Sequence, residues 1–94
     1  MNNISVIFHT GVDDAIQKLI DYVPVDEVPT MVAFIVHIQR TLTETLSFSP
    51  EVGTRFQGNV RMFVVELYTF LYEYHRDLKQ VHVLDLKFPG QDWR

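Results

Sequence analysis

Apolar positions along this chain switch from a period of two to a helical period and back again. From Asn3 to His9 they alternate, with Ile4, Val6 and Phe8 on one side and Ser5, Ile7 and His9 on the other. β-Branched residues dominate, and a half-buried strand is predicted. Thr10 then reads as the cap of a short helix, with Asp13 at its third position and Val12, Ile16, Leu19, Ile20 and Val23 as the buried stripe. Pro24 stops it. The acidic, proline-bounded stretch from Pro24 to Pro29 is expected to be extended, because a residue before proline avoids helical dihedrals.

A second helix is expected over Thr30 to Leu46, with Met31, Ile35, Ile38, Leu42 and Leu46 as its stripe and Val32, Phe34 and Val36 widening it. The next stretch, Ser49 to Leu78, carries Val52, Phe56, Val60, Phe63, Leu67, Phe70, Leu71, Tyr74 and Leu78 at helical intervals. It reads as one long helix, started by Ser49 as N-cap with Pro50 and Glu51 in the first turn, or by Thr54 with Gln57. Gly53 and Gly58 each weaken helix there by roughly 1 kcal/mol relative to Ala. The short connection at Ser47, Phe48 and Ser49 implies an antiparallel helical hairpin as scaffold. After Lys79 the period returns to two, with His82, Leu84, Leu86 and Phe88 on one face of a second strand ended by Pro89-Gly90. The fold expected is α+β in the order β-α-α-α-β, a helical hairpin core with two terminal strands pairing beside it.

Length and composition fit one domain. A chain of 94 residues, 47% hydrophobic, can bury about 60 to 65% of its unfolded surface. With no cysteine, disulfides, thiol nucleophiles and thiolate zinc sites are excluded. The N-terminus lacks a basic region, and the longest apolar run, Met31 to Val36, is too short for a signal or a membrane span. A cytoplasmic protein with no membrane partner is expected. Of the net charge of −4, the segment holding Asp13, Asp14, Asp21, Asp26 and Glu27 against Lys18 accounts for all, since the other charges cancel. Exposed acids clustered this way suit a basic protein partner. No basic stripe marks a phosphate backbone, so direct nucleic-acid binding is not expected.

The chemistry-bearing residues are scattered. No glycine-rich phosphate loop, nucleophile elbow or paired-histidine metal helix is present. The four histidines (His9, His37, His75 and His82) have no ligand spacing, and neither metal nor cofactor is expected. Glu66 and Glu73, one heptad apart and so about 10 Å along a helix, are too far apart to share a proton on a small substrate. The best constellation is an arc of the long helix formed by Arg61, Val65, Tyr68, Tyr72 and His75, which implies a ligand site or an interface. Trp93 is expected to dock on the domain rather than hang free.

These features favour a protein–protein interaction module, an adaptor or an inhibitor that occludes a partner, self-associating through the Arg61–Tyr72 arc as a homo-oligomer, with a dimer first. The alternative is a small-ligand, nucleotide-type binder using that Arg/Tyr/His face at a subunit interface. An enzyme of hydrolase type, built from His75 and nearby carboxylates, is the weaker third.

Overall fold

The N-terminal strand and the two helices after it lie where periodicity places them. The computed structural model describes residues 3–90: β1 (Ser5–Phe8), α1 (Thr10–Asp21), a 3-10 turn (Val25–Glu27), α2 (Val28–Phe48), β2 (Thr54–Gln57), β3 (Val60–Val65), β4 (Tyr68–His75) and β5 (Gln80–Lys87). Trp93 lies outside the described residues. Thr10 is the first helical residue of α1 and not its cap. His9, with extended dihedrals, takes the cap position without a side-chain capping bond. The acidic link is a helical turn rather than an extended run, and Pro29 sits in the first turn of α2, where its missing N–H leaves no intrahelical bond unmade.

The expected long helix is instead a three-stranded meander. Alternate residues Arg61, Phe63 and Val65 of β3 pair with Tyr72, Phe70 and Tyr68 of β4, so the segment has period two. Its richness in valine and aromatics suits a pleated sheet and disfavours a helix. Two reversals break the apparent helical stripe. Gly58, with φ of 56°, turns β2 into β3, and Glu66 and Leu67, both at positive φ (50° and 74°), turn β3 into β4. Two consecutive left-handed residues are what a tight two-residue hairpin needs. The helical hairpin with α2 therefore does not exist.

The strand order is β1-β5-β4-β3-β2, with β2 to β5 antiparallel and β1 parallel to β5. The two terminal strands do pair, and β5 lies inside the sheet. A bulge near Leu84 shifts its register, so Val81, Val83 and Leu86 are the buried residues and His82 points the other way. Both helices pack on one face, where Val12, Ala15 and Leu19 of α1 and Ile35, Ile38, Leu42 and Leu46 of α2 meet Val65, Phe70, Tyr72, Val81, Val83 and Leu86. The opposite face, bearing Ile7, Met62, Val64, Leu71, Glu73, His75 and His82, has no helix of the described residues over it.

The contact of α1 with β5 depends on Gly11. A Cβ there would stand 2.5 Å from the backbone oxygen of Leu84. Gly11→Ala must therefore push the helix off the sheet, and a loss of about 1 to 3 kcal/mol is expected from this overpacking. A urea titration checks it, because the intrinsic preference of a helix for Ala over Gly would by itself shift the midpoint the other way.

Candidate functional site at one end of the sheet

Two turns meet at one end of the sheet, the β2–β3 reversal and the turn that joins the last residues of β4 to the first of β5. The loop from Ser49 to Gly53 folds over this end because a buried phenol ties it down. The Tyr72 hydroxyl donates to the Pro50 carbonyl at 2.9 Å and accepts the Gly53 N–H at 2.9 Å. Burial pushes this phenol above its ordinary pKa, against the lowering effects of the Gly53 bond and of Arg61. Gly53 has to be glycine, since a Cβ would lie 2.5 Å from that hydroxyl and 2.8 Å from the Met62 oxygen.

Beside this tie lies a cleft of about 160 Å³ lined by Glu51, Arg55, Asn59, Arg61, Tyr74 and Arg76. Arg61 donates to the carbonyls of Gly53 at 2.8 Å and Glu51 at 3.2 Å. These are neutral acceptors, so its guanidinium is held in place while its charge stays unpaired. Arg55 is its direct partner across β2 and β3. Like charges opposite each other disfavour pairing by roughly 0.2 to 1 kcal/mol, and no ion pair among the described residues relieves either one. Arg76 pairs with the Glu51 carboxylate, the only acid in the lining.

The open face of the same end carries a cluster of imidazoles. His9 Nε2 lies 2.7 Å from His82 Nδ1, and His82 Nε2 lies 2.9 Å from Gln80 Oε1. The Gln80 oxygen can only accept, so the neutral His82 ring carries its proton on Nε2 and accepts from His9. The His75 ring centre is 4.4 Å from that of His82, and His75 Nε2 is 3.4 Å from Glu73 Oε1. No cluster of ligating residues suited to a metal occurs among the described residues.

Desolvation, followed by the neighbouring His75 and His9, lowers the His82 pKa below the usual imidazole value, and Glu73 opposes the shift. Its neutral form is thus favoured in the native state. Stability from this source is complete above about pH 6.5 and is lost as pH falls through the depressed native value, because the unfolded chain takes the proton first. His82→Gln should flatten the fall in melting temperature between about pH 7 and pH 5. An unchanged slope would assign the pH dependence elsewhere.

The residues that sequence reasoning grouped on one arc end up in three places. Arg61 and Tyr72 are neighbours, but as partners across β3 and β4. Val65 and Tyr68 flank the other end of that hairpin, where the Tyr68 ring packs 5.2 Å from Phe34 of α2. His75 faces outward. With Tyr72 fully buried and Val65 nearly so, the arc cannot be a surface through which two copies meet, and the homo-oligomer argument built on it lapses. The acidic residues Asp13, Asp14, Asp21, Asp26 and Glu27 are all exposed, on α1 and the 3-10 turn. Asp21, Asp26 and Glu27 stand at or next to an apolar groove lined by Tyr22, Val23, Pro24, Glu27, Thr30, Met31 and Phe34, whereas Asp13 and Asp14 lie in the first turns of α1. Arg55, Arg76, Tyr74, His9 and His82 were missed, because only the pairing of β2 through β5 brings them together.

No family profile matches the chain, and no curated protein matches it. Solved structures do. Over 97% of this chain and 97% of the other, it superposes with TM-score 0.68 and 20% identity on a chain of the RelBE2 toxin–antitoxin complex of Mycobacterium tuberculosis. The isolated RelE toxin of E. coli matches over 96% of this chain and 88% of the toxin at TM-score 0.57 and 13% identity. The intact E. coli RelBE complex gives the same score over 94% of this chain. This chain has a RelE-like toxin fold. That likeness overturns the reading as a generic adaptor or inhibitor, since the structures sharing the architecture are of a toxin and of toxin–antitoxin complexes. Among the described residues no helix is long and apolar enough to cross a membrane.

Proposed function

We propose that this chain is the toxin half of a toxin–antitoxin pair, that it cleaves mRNA on the ribosome, and that an antitoxin protein restrains it. The observation that carries this reading is the superposition on RelE-type chains over nearly the whole of both partners. The RelE-like fold is that of a ribosome-dependent mRNA endoribonuclease. An acidic protein of net charge −4 gains little from free RNA by charge alone. A ribosome that presents the mRNA removes that difficulty. Cleavage needs a group that moves a proton to or from the reacting oxygens, and we assign that role to His75, whose Nε2 lies 3.4 Å from Glu73 Oε1 on the open face.

The antitoxin contact falls on the apolar groove between α1 and α2. Tyr22 and Val25, 82% and 89% exposed, border it, and Asp21, Asp26 and Glu27 surround it with negative charge. A basic amphipathic segment fits both features. Changing Asp21, Asp26 and Glu27 to Asn, Asn and Gln should leave stability within about 0.5 kcal/mol and weaken the complex, most at low salt. Equal affinity at every salt concentration would reduce the patch to a solvated face.

Induction of the protein in bacterial cells tests the toxin reading. Incorporation of labelled amino acids should stop while folded protein accumulates, and should resume when the antitoxin is co-expressed. Unimpaired protein synthesis in cells full of folded protein would refute it.

A further inference from the structure

We propose that His82 is a positioning residue for the proton transfer given above to His75, and that it acts through the His75 ring without touching the message. This rests on the toxin reading and names a residue which that reading leaves without a part. Glu73 and His75 stand two residues apart near the end of β4 and so share its open face. Their contact is 3.4 Å between Nε2 and Oε1, with side chains 39% exposed at His75 and 32% at Glu73. At that length, and open to water, it cannot by itself hold an imidazole in one orientation.

His82 closes the other side of that ring. Strand register sets His82 opposite Glu73 and Gln80 opposite His75, which makes the two histidines diagonal neighbours, within reach of each other's rings. Their ring centres lie 4.4 Å apart at an interplanar angle of 54°. His82 is held more firmly than His75, because both of its nitrogens are engaged, Nδ1 with His9 at 2.7 Å and Nε2 with Gln80 at 2.9 Å. The His9 ring also meets it edge-on, 4.9 Å between centres. His9 is fixed in turn by its backbone N–H, which donates to the Val83 carbonyl at 2.9 Å.

The same two bonds set what His82 can do. A neutral imidazole has one donor and one acceptor, and here both are spent inside the protein. It can exchange no proton with a substrate unless one of them breaks. Desolvation and the imidazoles of His75 and His9 favour its neutral form against Glu73, so no second positive charge competes for Glu73 when His75 takes a proton.

The test measures single-turnover cleavage of a defined message on programmed ribosomes, for His82 variants in wild-type and His75→Gln backgrounds. His82→Ala should lower the maximal rate about tenfold or more, since a small misplacement of a reacting group can cost about a hundredfold. The protein concentration giving half the maximal rate should not change. His82→Phe, which keeps a flat ring beside His75 but can neither donate nor accept, should restore most of the rate. In folded His75→Gln protein, His82→Ala should have no further effect, because nothing is left to position. Melting curves confirm that each variant folds, and His82→Gln, which lacks the ring but keeps polar partners, replaces an Ala variant that does not. An undiminished rate in His82→Ala, the same loss in both backgrounds, or a Phe variant as slow as the Ala variant would each overturn the inference while wild type still cleaves. A message left intact by wild type overturns the toxin reading and this inference together.

Discussion

Tyr72→Phe is expected to destabilise the protein by about 2 to 4 kcal/mol while removing a single oxygen. That hydroxyl is the donor for the Pro50 carbonyl and the acceptor for the Gly53 N–H, and its ring is fully buried. Phenylalanine fills the same volume but leaves both backbone groups without their partner, at about 1 to 3 kcal/mol for each that water cannot reach. The damage should spread to function, because Arg61 is held by the carbonyls of Glu51 and Gly53 in the same loop. A denaturant titration gives the stability, and the proposed cleavage of mRNA on ribosomes, assayed with the folded fraction, gives the second effect. A Tyr72→Phe variant with wild-type stability would show that the loop is held by something else.

Deleting Val81 to Arg94 should abolish cooperative melting altogether. β5 pairs with β1 on one side and β4 on the other, and it supplies Val81, Val83 and Leu86 to the core. Removing it strips α1 of its main contact and turns one five-stranded sheet into separate edges that cannot pair without large movement. Circular dichroism during a thermal scan reads the outcome. A sharp transition in the truncated chain would mean that β2 to β4 and the helices form a domain without their centre.

Both helices and both terminal strands were legible as elements from their periods, although the bulge near Leu84 puts Val81 and Val83 of β5 in the core where His82 and Leu84 were expected. Of the stripe expected on α2, Ile35, Ile38, Leu42 and Leu46 are buried and Met31 is half-buried, while Val32 and Val36, expected to widen it, are exposed. The meander was not legible, for a specific reason. In β3 and β4 apolar residues occupy both faces, Met62, Val64 and Leu71 outward as well as Phe63, Val65 and Phe70 inward, so alternation disappears and a helical spacing can be threaded through what remains. The turn that separates the strands is Glu66-Leu67, without the glycine or asparagine that usually announces a hairpin. β-Branched and aromatic enrichment from Val60 to His75 was the signal that would have decided between the two.

The candidate site suffered the same way. Arg61 and Tyr72 were grouped as neighbours on a helix face eleven residues apart, and they are neighbours across strands. The other arginines and the imidazoles converge only through register. His82 and His75 come together because β5 returns along β4, and His9 joins them because β1 adds parallel to β5. Sequence spacing carries no trace of either.

Cleavage of mRNA in a purified translation reaction tests the central claim most directly. Primer extension on a defined message should reveal new 5′ ends when the protein is added to translating ribosomes and none when ribosomes are omitted, with cleavage reduced at least about a hundredfold in a folded His75→Gln variant. An intact message on ribosomes treated with an excess of folded wild-type protein would contradict the account.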